Sequence, residues 1–142
     1  MHTMTEPEWR AFMAEGTRTA KLATVRGDGR PHVAPIWFVF DDDGTIAFNT
    51  GRDTVKGTAL RRDPRVTLCV DDDQPPFAFV MVEGTATVSE DLDEMLAVAT
   101  AVGGRYMGAE RASEFGKRNA APGELLVRVT PTRVVAQADL TG

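Results

Sequence analysis

His32-Val33-Ala34-Pro35-Ile36-Trp37-Phe38-Val39-Phe40 is the stretch that decides the fold. Its β-branched and aromatic content reads as a strand, and it is apolar at odd and even positions alike, so both faces need cover. Upstream, Thr19 to Val25 reads as a partner strand, joined through Gly27-Asp28-Gly29, the residue types of a hairpin turn. Downstream, Asp41 to Gly44 is a polar turn and Thr45 to Asn49 a third strand. A chain of 142 residues cannot cover two-sided strands with one layer of helices. A closed or half-closed barrel hides one face, and a second subunit hides the other.

The rest of the chain fits that scheme. Thr5 with Glu8 forms a capping box, so a helix opens there with Trp9, Phe12 and Met13 on one face, and Gly16 ends it. A short helix spans about Thr54 to Arg62, closed by Asp63-Pro64. Val66 to Val70 is a fourth strand, and Phe77 to Val88 a fifth, with a bulge expected near Gly84. Ser89 is placed to cap a helix whose apolar stripe is Leu92, Met95, Leu96, Ala99 and Val102. A further helical piece runs from about Ala109 to Arg118. Leu125 to Val129 and Val134 to Gln137 read as closing strands interrupted at Pro131.

Composition narrows the function. At 42% hydrophobic and 26% charged the chain is that of a soluble globular protein, expected to be one unit over residues 1–142 and cytoplasmic. A net charge of −5 argues against a general nucleic-acid binder. One cysteine and two histidines exclude an internal disulfide and a zinc finger. There is no GxGxxG after a strand and no GxxxxGK[ST], so the common nucleotide loops have no support. Cys69, inside a strand, reads as an inert thiol, and His32 as a structural or rim residue; no metal site and no acid–base dyad stands out.

One segment departs from the acidic background. Arg52, Lys56, Arg61, Arg62 and Arg65 against Asp53 and Asp63 make residues 52–65 net +3 and leave the other 128 residues at −8. It follows a strand end, Asn49-Thr50-Gly51, so free backbone N–H groups, a hydroxyl and a lysine can form a phosphate cradle; a solvated helix face is the alternative.

Gly29 to Phe38, then Phe48-Asn49-Thr50 with Lys56 and Leu60 to Val66, then Val82-Glu83-Gly84-Thr85-Ala86 together resemble the pyridoxamine 5′-phosphate oxidase superfamily of flavin and deazaflavin oxidoreductases. The likeness covers most of residues 6 to 137 and is strongest to the branch that uses coenzyme F420, a deazaflavin. It implies a mainly β fold, a six-stranded antiparallel split β-barrel with short flanking helices, forming a homodimer with cofactor sites at the interface. By that resemblance Val33, Ala34, Pro35 and Ile36 line the ring. Asn49, Thr50 and Lys56 hold the phosphate region with help from Arg61 or Arg62. Trp37 is a ring-edge or packing residue, and Gln74 and Phe77 of the other subunit cover the ring. The implied activity is hydride transfer from reduced coenzyme F420 to an activated C=C, quinone or similar acceptor. The lysine- and arginine-rich strand motifs with which true pyridoxamine phosphate oxidases hold FMN are absent, which favours the deazaflavin. The alternatives are an FMN-dependent oxidoreductase and a non-catalytic flavin, deazaflavin or haem binder on the same fold.

Overall fold

A computed structural model describes residues 1–142. In chain order it contains β1 (His2–Thr3), α1 (Glu6–Ala14), β2 (Ala20–Val25), β3 (Pro31–Ile36), β4 (Val39–Phe40), β5 (Ile46–Gly51) and α2 (Val55–Arg62). It continues with β6 (Arg65–Asp72), β7 (Ala78–Ser89), α3 (Leu92–Met107), a 3₁₀ turn (Ala109–Arg111), α4 (Ala112–Asn119) and β8 (Glu124–Ala138). Six long strands carry the sheet and two dipeptide strands trim it. Every pairing is antiparallel, in the order β3-β2-β6-β7-β8-β5-β4, with β1 beside β8.

The two edges of that sheet are consecutive in the chain. β3 ends at Ile36 and β4 starts at Val39, so the edges lie within three residues, at most about 10–11 Å apart. The sheet therefore curls on itself around one cluster of 20 buried residues, drawn from all six long strands, α1 and α2, with Phe38, Phe48, Leu22 and Leu68 fully buried. The expected single strand His32–Phe40 is thus two strands on opposite edges. At the break, the Phe38 N–H and C=O leave the ladder: the Tyr106 hydroxyl accepts from Phe38 N at 3.4 Å, and Arg105 Nη1 donates to Phe38 O at 2.9 Å. Side chains of α3, not strand pairing, seal the seam. Pro35 fits β3 because an edge strand has no partner for the missing N–H.

The capping box of α1 is formed: Glu8 N donates to Thr5 Oγ1 and Thr5 N to Glu8 Oε1, and Gly16 follows the helix at φ 62°. The bulge near Gly84 is present, between Glu83 and Gly84. Opposite it Thr132 drops out of register and bonds Glu83 O through its hydroxyl, which lets β8 continue past Pro131 as one 15-residue strand rather than the two expected. Gly84 is required there, since a Cβ would sit 2.6 Å from Val129 Cγ1 and 2.8 Å from Thr130 O.

α3 differs from expectation at both cap and face. Asp91 is the N-cap, accepting from Glu94 N, while Ser89 accepts from Asp91 N one step earlier. The buried stripe is Met95, Val98, Ala99 and Gly103, and Leu92 and Leu96 stay exposed. The stripe packs on the outer face of β5 and β8, where Met95 and Val98 meet Ala47 and Leu126. The other half of the sheet's outer face has no cover. Its rows run Val33-Ala23-Thr67-Glu83-Arg133 and Pro35-Lys21-Cys69-Met81-Val135, mixed apolar and polar, with Val33 65% exposed.

Candidate functional site

Where the covered and uncovered halves of the outer face meet, a cleft of about 270 Å³ opens. Its walls are Pro35, Ile36 and Trp37 at the end of β3, Asn49 of β5, Lys56 of α2, Glu124 of β8, and Ala99, Val102, Gly103, Phe115 and Asn119 of α3 and α4. The helices form a wall here because glycines let them touch. A Cβ on Gly103 would lie 2.6 Å from Phe115 Cβ, and one on Gly116 would lie 2.0 Å from Thr100 Oγ1.

Strand alternation puts Asn49 in the cleft. Ile46 and Phe48 point into the barrel, so Ala47 and Asn49 point outward beneath α3. Both Asn49 side-chain atoms, Oδ1 and Nδ2, are shielded from solvent and have no hydrogen-bond partner. A buried carboxamide without partners costs about 1–3 kcal/mol per group, so this side chain is suited to a ligand that offers both a donor and an acceptor.

Lys56 is placed by the start of α2. Thr54 caps that helix, accepting from Gly57 N at 3.0 Å, and Gly57 packs its Cα directly on the end of β5. The Lys56 ammonium makes no hydrogen bond and no ion pair, although Glu124 shares the cleft. Burial raises the Glu124 carboxyl above its ordinary pKa, and the Lys56 charge offsets only part of that rise. Beside them Trp37 stacks on Tyr106, ring centroids 4.9 Å apart and 2° from parallel, and the Tyr106 hydroxyl donates to Arg18 O at 2.7 Å. Burial pushes the Tyr106 phenol up, so it holds the Trp37 ring as a neutral group.

The structure brings together five of the twelve residues expected at the site: Pro35, Ile36, Trp37, Asn49 and Lys56. Val33 and Ala34 lie further back on β3, on opposite faces, because the run alternates. Thr50 points to the other side of β5 from Asn49, buried and 3.4 Å from Thr54 Oγ1. Gln74 and Phe77 sit on the β6–β7 turn, with Gln74 O accepting from Phe77 N, and line no part of this chain's cleft.

The basic segment does not form one patch. Arg52 is paired with Glu90, Arg65 with Asp63, and Arg61 and Arg62 donate to Arg52 O and Val25 O. The Arg65 guanidinium holds the Asp63 carboxyl down at about 2. Arg62, with Val55, Thr58 and Ala59, lines a separate shallow pocket against Arg26 and Gly27. Of the five cations only Lys56 faces the cleft and is free. Glu124, Phe115 and Asn119 escaped the sequence reading, since nothing local marks a residue near 120 as the neighbour of one near 50.

Residues 5–138 match the family described as pyridoxamine 5′-phosphate oxidase. Among solved structures, a conserved hypothetical protein, Rv2991 from Mycobacterium tuberculosis, is 29% identical, with 98% of this chain and 89% of that chain covered and a TM-score of 0.83. A structure described as F420 reductase is 25% identical over 87% of this chain and 94% of its own, with a TM-score of 0.68. The heme storage protein HutZ from Vibrio cholerae shares the fold at 23% identity, with 92% and 94% covered and a TM-score of 0.71.

Proposed function

The chain belongs to the pyridoxamine 5′-phosphate oxidase family, and on that premise we propose that it is a reductase dependent on coenzyme F420, acting on an activated C=C, quinone or similar small acceptor. The observation that carries this reading is the cleft itself, where Trp37 and Phe115 stand beside an unpartnered carboxamide and a single free cation. Such a site suits a planar heterocycle joined to one phosphate. When bound, the reduced deazaflavin supplies the hydride; the chain supplies position and exclusion of water. The Pro35–Trp37 backbone flanks the ring, and Asn49 and Lys56 hold the polar portion. Ala99, Val102 and Phe115 keep water from the reacting face.

A volume of about 270 Å³ falls just below the usual range of small-molecule sites, so the cleft takes part of such a cofactor and the rest lies along β3. That supports a homodimer in which the uncovered sheet face receives the second subunit, whose Gln74 and Phe77 close the ring site. The chain then works as one unit, in the cytoplasm. The haem-storage role of HutZ raises a haem-binding alternative, but no histidine, cysteine or methionine lines the cleft to ligate iron.

A fluorescence titration with coenzyme F420, with FMN alongside, tests the assignment. Micromolar or tighter F420 binding with weaker FMN binding is expected; the reverse preference makes the protein an FMN oxidoreductase. Lys56→Ala is expected to weaken F420 binding by about 1.5–3 kcal/mol, the value of a charge-assisted contact. An unchanged affinity would place the phosphate elsewhere. Dilution below the dimer dissociation constant, followed by sedimentation, should abolish binding in step with dimer loss. A monomer that binds normally would sink the interface model.

A further inference from the structure

Between the β2–β3 hairpin and the first turns of α2 lies a second pocket, of about 260 Å³, that shares no lining residue with the cleft. Arg26 and Gly27 form its hairpin wall, and Asp53, Thr58 and Arg62 stand on the helix side. Arg26 is the one arginine whose guanidinium makes no hydrogen bond or ion pair and lies over no ring; every other arginine has such a partner. Its Nε is shielded from solvent and unpartnered, in a chain with an excess of carboxylates. Arg62 is held beside it: its guanidinium donates to Val25 O, and its Nη1 lies 3.3 Å from where a Gly27 Cβ would stand. With Asp53 the sole acidic side chain on the wall, the ionised lining carries one net positive charge.

Two more polar groups in the same condition lie deeper on the same face. Ala20 and Leu22 point into the barrel, and the alternation continues through Thr24 to Arg26, whose N–H still bonds Arg30 O across the hairpin. His32 is the cross-strand partner of Thr24. Thr24 is only 3% exposed, and neither its Oγ1 nor His32 Nδ1 has a hydrogen-bond partner. Apart from the Asn49 carboxamide, every unpartnered buried side-chain atom of the protein belongs to this end of the hairpin.

We propose that this pocket is a second binding site, for an oxyanion of the phosphate or carboxylate type, with Arg26 and Arg62 as its cationic ligands. An anion there gives Arg26 Nε its acceptor and offsets the repulsion between two guanidiniums held side by side. The Thr58 hydroxyl is a further donor on the wall, and Thr24 and His32 extend the polar row inward. α2 divides the two sites: Val55, Thr58, Ala59 and Arg62, three or four residues apart, face the pocket, whereas Lys56 faces the cleft. The oxyanion has two possible sources, a free small anion or the anionic end of a ligand that reaches across α2 from the cleft.

The test uses inorganic phosphate, titrated into the whole protein with chloride holding the ionic strength constant, and thermal unfolding as the readout. Phosphate should raise the unfolding temperature of the wild type saturably. Arg26→Gln removes a guanidinium that bonds nothing in the fold, and should weaken phosphate about tenfold or more. Lys56→Ala, on the cleft side of α2, should retain most of the response. Phosphorus NMR line widths of the titrated phosphate give the same comparison without relying on unfolding. No saturable response in the wild type, an undiminished one in Arg26→Gln, or its loss in Lys56→Ala would overturn the site. Coenzyme F420, titrated with and without saturating phosphate, then identifies the source. Competition that disappears in Arg26→Gln assigns the pocket to the anionic end of a ligand seated in the cleft; independent binding assigns it to a separate anion. Should F420 not bind at all, the cofactor reading falls and the phosphate result stands.

Discussion

Arg105→Ala is expected to destabilise the protein by about 3–5 kcal/mol, the range for several charge-assisted bonds to buried carbonyls lost at once. Arg105 sits in the last turn of α3 and has no carboxylate partner. Its guanidinium donates to Phe38 O, Met13 O and Gly16 O, each at 2.9 Å. Met13 O belongs to the last turn of α1, where helix carbonyls have no partner of their own, and Gly16 O to the turn that follows. Phe38 O belongs to the gap between the two sheet edges. One side chain therefore ties α1, the barrel seam and α3, and its carbon lies 4.6 Å from the Phe38 ring centroid. Burial lowers the Arg105 pKa from its ordinary value, and a guanidinium stays charged in proteins. Thermal unfolding should fall by roughly 10–15 °C. Arg105→Lys keeps the charge but cannot reach three carbonyls in different directions, so it should recover less than half of the loss. A fall of only a degree or two for Arg105→Ala would mean that the seam is held by the core alone.

Gly57→Ala is the second large effect, and it links stability to the cleft. A Cβ at Gly57 would lie 2.1 Å from Gly51 O and 2.9 Å from Arg52 O, and both are backbone atoms that no rotamer change can move. The first turn of α2 must lift away from β5, at about 2–4 kcal/mol for overpacking of this severity. Lys56, the residue just before Gly57, moves with it. Urea unfolding should register the stability loss, and a titration at a temperature where the variant is still folded should show F420 binding reduced at least as far as in Lys56→Ala. Gly104→Ala is the matched control. Its Cβ would meet only Ala112 Cβ at 3.5 Å, an ordinary contact, so helix propensity makes the change neutral or stabilising by up to about 1 kcal/mol. A folded Gly57→Ala that binds F420 normally would show that the position of Lys56 is not what the site depends on.

The sequence by itself determined what depends on neighbours in the chain. The Thr5–Glu8 capping box, the helix started by Thr54, the hairpin at Gly27–Gly29 and the bulge at Gly84 each rest on chemistry within a few residues. The two-sided apolar run 32–40 called for a curled sheet, and the family motifs pointed to the end of β3, Asn49 and Lys56, which the structure brings to one cleft. Only the tertiary structure decided where that run breaks. The partners that satisfy Phe38 are Arg105 and Tyr106, 67 and 68 residues away. Alternation along β5 parted Asn49 from Thr50, two residues that look equivalent in the sequence. Ion pairing with Glu90 and Asp63 removed Arg52 and Arg65 from what read as one basic patch. Glu124 came to the cleft that holds Lys56 because β8 pairs with β5. A charge acts through space, so its meaning for the site is set by what folding brings beside it, and no spacing along the chain encodes that.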